Sequence, residues 1–365
     1  MFDKLKEIPK TPKFAKAAIL EELGAPLSIK EIELPELARG QVLVKVLFSG
    51  VCRSQLMEVR GARGADPWLP HLLGHEGSGT VLSIGEGVTK VAVGDDVVLG
   101  WIKSEGLDAP GAQYKLGKKI INSGRVTTFA NFTVVSESRL VKKPQGLALD
   151  EAILFGCALP TGAGMVLNEL KPSPNKSVVV LGLGGIGLSA LLALKALGVA
   201  PIIAIDISDI KLDFAKKLGA DYVFNSSKEG LYDAVIKLTN GGADYCVESG
   251  GFIATIELGF SLVRKGGGKL IFASHPSHGE KITLDPHELI SGKRICGSWG
   301  GGSKPDIDVP VLHSLISRSN LSLANLITKR YKLEEINEAL CDLECGRVFR
   351  PLITMDHAMN NEIST

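Results

Sequence analysis

Residues 178–197, VVVLGLGGIGLSALLALKAL, contain an apolar run, a glycine-rich turn and a second apolar run. A strand buried on both faces of a parallel sheet is typically an uninterrupted apolar segment. The glycines Gly182, Gly184 and Gly187 interrupt this segment in the pattern GxGxxG, where a helix is predicted to begin. Such a turn suits a dinucleotide, because the first turn of the helix offers free N–H groups to the pyrophosphate. The stretch therefore predicts a strand–turn–helix unit of a parallel sheet.

The segments that follow continue the same alternation. Residues 202–205, 245–247 and 269–273 are apolar strand candidates, and residues 208–218 are a helix candidate. Asp206 lies nineteen residues after Gly187, at the end of the second strand. A carboxylate there can accept from both ribose hydroxyls and repels a 2′-phosphate, which favours NAD over NADP. The residues predicted to bind this cofactor are Gly182, Gly184, Gly185, Ile186, Gly187 and Asp206.

The chain has a different character on either side of this unit. From about residue 14 to 100, short strand candidates alternate with Gly and Pro turns, which indicates an all-β module such as a partly open barrel. After Gly300–Gly302, two amphipathic helices and a last strand near residue 348 are predicted to return to that module. We therefore predict an α/β protein with a β-rich catalytic domain in residues 1–170, a doubly wound parallel-sheet domain in residues 171–300, and a C-terminal return in residues 301–365.

Composition narrows the functional classes. The chain has 41 Lys and Arg residues against 40 Asp and Glu residues, so it has no net field to attract nucleic acid or an anionic membrane. The N-terminal residues lack an apolar signal-peptide core. The six cysteines have no close pairing, which favours a reducing compartment. We expect a cytoplasmic protein that binds neither nucleic acid nor membrane.

Three further residues suit a metal. Cys52, His75 and Cys157 offer sulfur and nitrogen ligands of the kind that Zn²⁺ prefers, and three protein ligands leave one position open, as in catalytic zinc sites. Their spacing does not establish the site, since Cys52 and His75 lie 23 residues apart and Cys157 lies far downstream. Buried cysteines also occur as small apolar residues. From chemistry alone, both interpretations stay open.

The flanking residues resemble the zinc-dependent alcohol dehydrogenases of the medium-chain dehydrogenase/reductase superfamily. The motifs that carry the resemblance are Gly50-Val51-Cys52-Arg53-Ser54, Gly74-His75-Glu76-Gly77-Ser78-Gly79, Gly156-Cys157-Ala158-Leu159-Pro160-Thr161-Gly162 and the turn Gly182–Gly187, in that order. The resemblance implies a GroES-like catalytic domain with a Rossmann domain inserted into it. It also implies hydride transfer between a small-molecule alcohol and NAD, by a homodimer or homotetramer.

The resemblance extends to individual residues. It implies that Cys52, His75 and Cys157 are the ligands of a catalytic zinc, which the Glu76 carboxylate can approach during ligand exchange. Ser54 resembles the hydroxyl that receives the proton of the alcohol. The remaining matches concern the cofactor. Arg53 and Arg350 resemble family residues that contact the pyrophosphate, and Lys211 resembles a family lysine beside the adenosine ribose.

Three positions depart from the family pattern. Gln55 stands where the family usually has an aspartate that supports the metal-bound histidine, and we expect weaker zinc retention. Residues 101–110 contain none of the four cysteines that hold a second, structural zinc in many relatives, so one zinc is expected. Met57 replaces a proton-relay histidine of some relatives, so the proton is expected to leave through ribose hydroxyls and water.

Two alternative functions remain as hypotheses. A zinc-free quinone or enoyl reductase of the same superfamily is disfavoured by the retained Cys52, His75 and Cys157. A non-catalytic cofactor-binding protein is disfavoured by the retained Ser54. Trp101 can form an aromatic wall that suits an apolar alcohol or stacks on a sugar ring. The lobe at residues 101–110 looks shortened, which would open the pocket to larger substrates such as polyols and sugar derivatives. Two cysteines at helical spacing near the C-terminus, Cys341 and Cys345, are predicted to pack in the core.

Overall fold

The computed structural model describes residues 11–319 and 322–357, so the N-terminal residues considered above for a targeting signal lie mostly outside it. Short strands dominate the part before residue 165. Its strands are β1 (Phe14–Leu20), β2 (Ser28–Glu33), β3 (Gln41–Gly50), β4 (His71–Leu72), β5 (Glu76–Ile84), β6 (Asp96–Gly100), β7 (Gln113–Leu116), β8 (Lys119–Asn122), β9 (Phe132–Ser136) and β10 (Leu140–Lys142). Its helices are α1 (Arg53–Val59), α2 (Leu149–Ala152) and α3 (Ala158–Gly164).

These strands form two sheets. β1, β2, β7, β8 and β4 close into a small barrel, and β10, β6, β5 and β3 run side by side in a second sheet, with β9 also paired to β3. β3 pairs with both β5 and β9, and its register with β5 shifts at two places, which bends the strand. The predicted β-rich module is therefore present, as a barrel joined to an open sheet.

A parallel sheet with alternating helices follows. Its elements are β11 (Val178–Leu181), α4 (Gly185–Ala196), β12 (Ile202–Asp206), α5 (Asp209–Lys217), β13 (Tyr222–Asn225), α6 (Leu231–Leu238), β14 (Tyr245–Glu248), α7 (Ile253–Leu262), β15 (Lys269–Phe272), α8 (Pro286–Ile290) and β16 (Arg294–Gly297). The strand order is β13-β12-β11-β14-β15-β16, and every pair is parallel. This is the doubly wound Rossmann order, which reverses between β11 and β14 and leaves a crevice there for a ligand.

The C-terminal part returns to the first sheet. It contains α9 (Pro305–Arg318), β17 (Lys329–Lys332), α10 (Ile336–Glu344) and β18 (Pro351–Thr354). β18 pairs antiparallel with β3 and parallel with β17, so the last strand extends the sheet of the N-terminal part. The α/β fold expected from the sequence is confirmed. The boundaries at residues 170 and 300 stay predictions.

Two smaller points concern helices. α9 begins at Pro305, because proline is tolerated in a first helical turn, where its missing N–H would have no intrahelical partner. Cys341 and Cys345 are exposed, so the prediction that they pack in the core is wrong; the buried face of α10 consists of Ile336, Ala339, Leu340 and Asp342.

Among the described residues, no single helix has the length and apolar character to span a membrane, whereas one bent pair, Leu149–Gly156 with Ala158–Leu170, meets those two criteria.

Candidate active site

The glycine-rich turn lies between β11 and α4, at the crevice of the parallel sheet. Gly182 has a φ of +88°, a left-handed conformation that favours glycine. A Cβ on Gly187 would overlap the carbonyl oxygen of Gly182, so only glycine lets helix and strand approach this closely. A Cβ on Gly184 would meet no heavy atom within 4 Å. The turn thus has open space above it, where the free N–H groups of α4 face outward.

Asp206 fixes this turn from the end of β12. Its Oδ2 accepts from the Leu183 N–H at 2.7 Å, and its Oδ1 accepts from the Ser208 N–H at 3.0 Å. The Lys211 ammonium lies 3.8 Å from the same carboxylate. Asp206 is thus held next to the turn, where an adenosine ribose would lie beside the pyrophosphate in this fold.

The three candidate metal ligands come together from distant parts of the chain. Cys52 precedes α1, His75 precedes β5, and Cys157 precedes α3. Their ligand atoms all lie within 4.8 Å of one another, and the two sulfurs are 4.0 Å apart. Two sulfurs bound at about 2.3 Å to a tetrahedral Zn²⁺ lie about 3.8 Å apart. The His75 Nε2 is buried without a hydrogen-bond partner among the described residues. Donor types, spacing and the unpartnered nitrogen all fit a zinc ion.

The pKa values of the two thiols support the fit of a zinc ion. The Cys52 and Cys157 sulfurs lie within hydrogen-bond distance, and this contact, together with His75 and Arg350, holds the pKa of Cys52 well below its ordinary value. The pKa of Cys157 is raised, first by that contact and then by burial. The contact between the two thiols therefore favours loss of the Cys52 proton before that of Cys157. A divalent cation would favour loss of the second thiol proton, since metal ligation requires thiolates.

A buried ion pair connects the metal ligands to the glycine-rich turn. Arg350 donates to Glu76 Oε2 at 2.6 Å, and both side chains are almost fully buried. Glu76 is the residue next to His75. Burial raises the pKa of Glu76 to about 7, although the positive charge of Arg350 acts to lower it. On its other side, the Arg350 guanidinium would lie 3.2 Å from a Cβ on Gly185. Arg350 thus contacts both predicted sites, and its Nε has no partner among the described residues.

Two neighbours of the trio have unpartnered atoms. Ser54 follows Cys52 by two residues, and its Oγ is buried with no hydrogen-bond partner in the described part of the chain. Gln55 is buried, its Nε2 contacts His75 Nδ1, and its Oε1 has no partner there. With that amide orientation His75 Nε2 must carry the ring proton. With the amide turned, Oε1 would accept from Nδ1–H and leave Nε2 free for a metal. Gln55 therefore permits the metal-binding tautomer without enforcing it.

The remaining predicted contact faces the nucleotide side. Arg53 is exposed, and its guanidinium carbon lies 4.5 Å from the centroid of the Phe252 ring, in the loop that follows β14. That loop borders the crevice of the parallel sheet. Arg53 therefore reaches across from the part that bears the candidate metal ligands to the predicted nucleotide site.

Two residues at this cleft were missed by the sequence reasoning. Glu248 ends β14 and is buried; its Oε1 accepts from the N–H groups of Gly250 and Gly251 and from the Thr255 hydroxyl, while burial raises its pKa. A charged residue at the carboxyl end of an apolar strand, followed by two glycines, was the available signal. Trp299 lies with its ring 5.1 Å from Trp101, edge to face. Only the tertiary structure brings these two rings together.

Comparisons with known proteins agree with this geometry. Residues 38–145 match a family model described as the alcohol dehydrogenase GroES-like domain, and residues 185–318 match one described as a zinc-binding dehydrogenase. A benzyl alcohol dehydrogenase from Acinetobacter calcoaceticus is 30% identical, with a TM-score of 0.85 over 94% of this chain and 100% of that one.

Two further solved structures are similar over nearly the whole chain. An alcohol dehydrogenase zinc-binding domain protein from Burkholderia ambifaria is 28% identical, with a TM-score of 0.87 over 94% of this chain and 99% of that one. The alcohol dehydrogenase TADH from Thermus sp. ATN1 is 25% identical, with a TM-score of 0.79 over 93% and 100%. With the two matching domains and the shared fold, the chain belongs to the zinc-dependent alcohol dehydrogenase family of the medium-chain dehydrogenase/reductase superfamily.

Proposed function

We propose that the protein is an NAD- and zinc-dependent dehydrogenase that transfers hydride between an alcohol and NAD. The observation that carries the proposal is the convergence of Cys52, His75 and Cys157 beside a buried ion pair that reaches the glycine-rich turn. A metal-binding group and a cofactor-binding turn that share one contact residue, Arg350, suit a reaction between two bound molecules.

The ligand set assigns a role to each neighbouring side chain. A zinc ion held by Cys52, His75 and Cys157 would supply Lewis acidity, which lowers the pKa of a hydroxyl group. The unpartnered Ser54 Oγ is free to accept the proton of the substrate alcohol. Met57 cannot carry that proton further, so it would leave through the ribose hydroxyls and water. Glu76, one residue from His75, would assist ligand exchange.

The cofactor side is assigned to a second group of residues. The turn Gly182, Gly184, Gly185, Ile186 and Gly187 would bind the pyrophosphate, with Arg53 and Arg350 as its basic contacts. Asp206 and the neighbouring Lys211 would bind the adenosine ribose. The buried carboxylate of Asp206 would repel a 2′-phosphate, which supports NAD over NADP.

We propose one zinc per chain. Residues 101–110 contain no cysteine, so the lobe that could hold a structural zinc has no thiolates to offer. We also propose a cytoplasmic homodimer or homotetramer that binds neither nucleic acid nor membrane, and domain boundaries at residues 170 and 300. The near-zero net charge and unpaired cysteines support the first part of this description.

A cavity next to the metal ligands favours polyols or sugar-derived alcohols as substrates. It has a volume of about 660 Å³ and extends from Gln55 and His75 past Trp101 to polar residues such as Gln113 and Asn122. This volume lies in the range that accommodates drug-sized ligands, far larger than ethanol. Aromatic rings and amides together suit a ring with several hydroxyl groups. A strict preference for ethanol-sized alcohols would contradict this assignment.

The decisive experiment is a panel of alcohols and polyols with NAD, run alongside zinc quantification of the same protein. Activity with NAD and one zinc per chain are expected. A zinc-free protein that reduces quinones or enoyl substrates would identify the reductase alternative, and cofactor binding without any turnover would identify the non-catalytic one.

All three tryptophans lie at the cleft, since Trp68 and Trp101 line the cavity and Trp299 contacts Trp101. Their fluorescence therefore offers a readout of substrate binding that is independent of turnover.

A further inference from the structure

A second group of potential metal ligands lies on the wall of the same cavity, away from the cysteines. Glu58 in α1, Asp66 in the following loop and His71 in β4 direct one ligand atom each to a common point, all within 4.8 Å of one another. The His71 Nε2 is 2.8 Å from Asp66 Oδ2 and 3.9 Å from Glu58 Oε1. The function proposed above assigns no catalytic or cofactor-binding role to these residues.

The hydrogen bonds of His71 leave its second nitrogen facing acceptors only. The His71 Nδ1 lies 2.9 Å from the Leu72 carbonyl oxygen, which accepts but cannot donate, so Nδ1 carries a proton. In a neutral imidazole Nε2 then has a lone pair, and this lone pair faces two carboxylates. His71 is 7% exposed, so water contributes little to relieving this arrangement. A metal ion, or a proton shared with Asp66, would relieve the repulsion between this lone pair and the carboxylate oxygens.

Each of the three side chains is held in place by its outer atom. The His71 N–H donates to a backbone carbonyl, the arrangement that fixes the tautomer of metal-binding histidines. Asp66 Oδ1 accepts from the Trp68 N–H at 2.9 Å, and Glu58 Oε2 accepts from Arg63 at 3.3 Å. The inner atoms, His71 Nε2, Asp66 Oδ2 and Glu58 Oε1, face one another, and an ion bound between them would replace the 2.8 Å hydrogen bond of Nε2 with Oδ2.

The distances and the surroundings suit a divalent ion. Donor atoms bound at about 2.1 Å lie about 3.0 to 3.4 Å apart at octahedral or tetrahedral angles, between the two separations seen here. One imidazole and two carboxylates suit ions of the Mn²⁺ to Zn²⁺ series. All three residues line the cavity of about 660 Å³, so water or a ligand group can complete the coordination.

We propose that Glu58, Asp66 and His71 bind a divalent transition-metal ion, distinct from the ion of the cysteine site, with coordination positions open to the cavity. The class of ligand is a Mn²⁺-like cation. The alternative, a hydrogen bond that His71 and Asp66 keep between themselves, would leave the site with no affinity for metal.

The test uses the full-length protein loaded with one equivalent of Zn²⁺ and then titrated with Mn²⁺, whose free concentration is read by electron paramagnetic resonance. We expect one Mn²⁺ bound per chain. Asp66→Asn keeps Oδ1 for the Trp68 N–H but removes the ligand charge, and it should weaken Mn²⁺ binding by about tenfold or more, since even outer-shell changes cost about 10–100-fold. His71→Asn should do the same.

Two controls make the outcome decisive. His287→Asn alters an exposed histidine outside both sites and should leave Mn²⁺ binding unchanged. Cys52→Ser with Cys157→Ser, titrated without added Zn²⁺, should also leave it unchanged, which separates this site from the thiolates. If the wild type binds no Mn²⁺, or if Asp66→Asn binds it as the wild type does, the proposal is overturned. Asp66 lies in a partly exposed loop, so this variant gives an answer even if His71→Asn fails to fold.

Discussion

The glycine-rich turn and the cysteine–histidine site are assembled in opposite ways. The turn and Asp206 belong to one β–α–β unit, between residues 178 and 206. The candidate metal ligands Cys52, His75 and Cys157 come from three separate segments that only the folded chain brings together. A local site can therefore be predicted from spacing, whereas the distributed site needs the resemblance of its flanking residues.

The two regions also differ in how many of their buried polar atoms have hydrogen-bond partners within the protein. In the turn, the Asp206 carboxylate already accepts from Leu183 and Ser208. Around the metal trio, buried atoms without partners among the described residues cluster together: Ser54 Oγ, Gln55 Oε1, His75 Nε2, Glu76 Oε1 and Arg350 Nε. Unsatisfied buried polar atoms cost free energy of folding. The first region is preorganised, and the second is expected to depend on its ion.

The largest effect expected from this difference follows loss of a thiolate. Cys157→Ser removes a direct ligand, so both zinc content and turnover should fall by more than the roughly 100-fold that bounds changes in outer-shell partners. Removal of zinc by a chelator should lower the thermal midpoint of the wild type, because a bound metal stabilises the folded state. Zinc quantification, steady-state rates and calorimetry measure these three quantities.

The matched control is Cys341→Ser, which alters an exposed cysteine outside the site. It should retain zinc and full activity. If Cys157→Ser keeps zinc and turns over alcohol at the wild-type rate, Cys52, His75 and Cys157 are not the zinc ligands, and the proposed metal site is ruled out.

The glycine-rich turn offers a pair of variants that separate folding from binding. A methyl group on Gly187 would overlap the Gly182 carbonyl, so Gly187→Ala should destabilise the fold by about 1–3 kcal/mol, the usual cost of overpacking. A methyl group on Gly184 has free space, so Gly184→Ala should keep wild-type stability. It should nevertheless weaken NADH binding by about tenfold, or about 1.4 kcal/mol, because the added carbon lies where the pyrophosphate is expected.

Urea unfolding and fluorescence titration with NADH measure the two effects. Equal NADH affinity of Gly184→Ala and the wild type would show that the pyrophosphate does not approach the turn there. A Gly187→Ala protein as stable as the wild type would contradict the packing role instead.

The same contrast explains which features the sequence could predict. The parallel sheet followed from apolar periodicity, and β11 has the predicted bounds because both of its faces are buried. The Arg350–Glu76 pair did not follow, since 274 residues separate its members and no periodicity relates them. The outward position of Cys341 and Cys345 was also missed, because i,i+4 spacing places residues on one face without telling which face is buried.

A smaller effect is expected from the support of His75. Gln55→Asp replaces an amide that allows two tautomers of His75 by a carboxylate that can only accept, so His75 Nε2 would be free for zinc. Zinc affinity should rise by about tenfold, the lower end of the range for outer-shell partners. Competition with a chelator measures the affinity, and Gln55→Asn, which keeps the amide, is the control. Unchanged zinc retention and turnover in Gln55→Asp would rule out this role of Gln55.

The smallest effect tests whether the preorganised turn also selects its cofactor. Asp206→Asn retains a side-chain oxygen that can accept from Leu183 or Ser208, but it removes the charge beside the expected ribose. Asparagine still offers an acceptor, so only part of the roughly 1.5–3 kcal/mol of a hydrogen bond to a charged group is lost, and NADH affinity should fall by less than about tenfold. NADPH affinity should fall less or rise, because the repulsion of its 2′-phosphate is removed and Lys211 lies 3.8 Å from this carboxylate. Fluorescence titrations with both cofactors give the ratio, and an unchanged thermal midpoint separates this effect from damage to the turn. If the wild type binds NADPH more tightly than NADH, Asp206 organises the turn without selecting the cofactor.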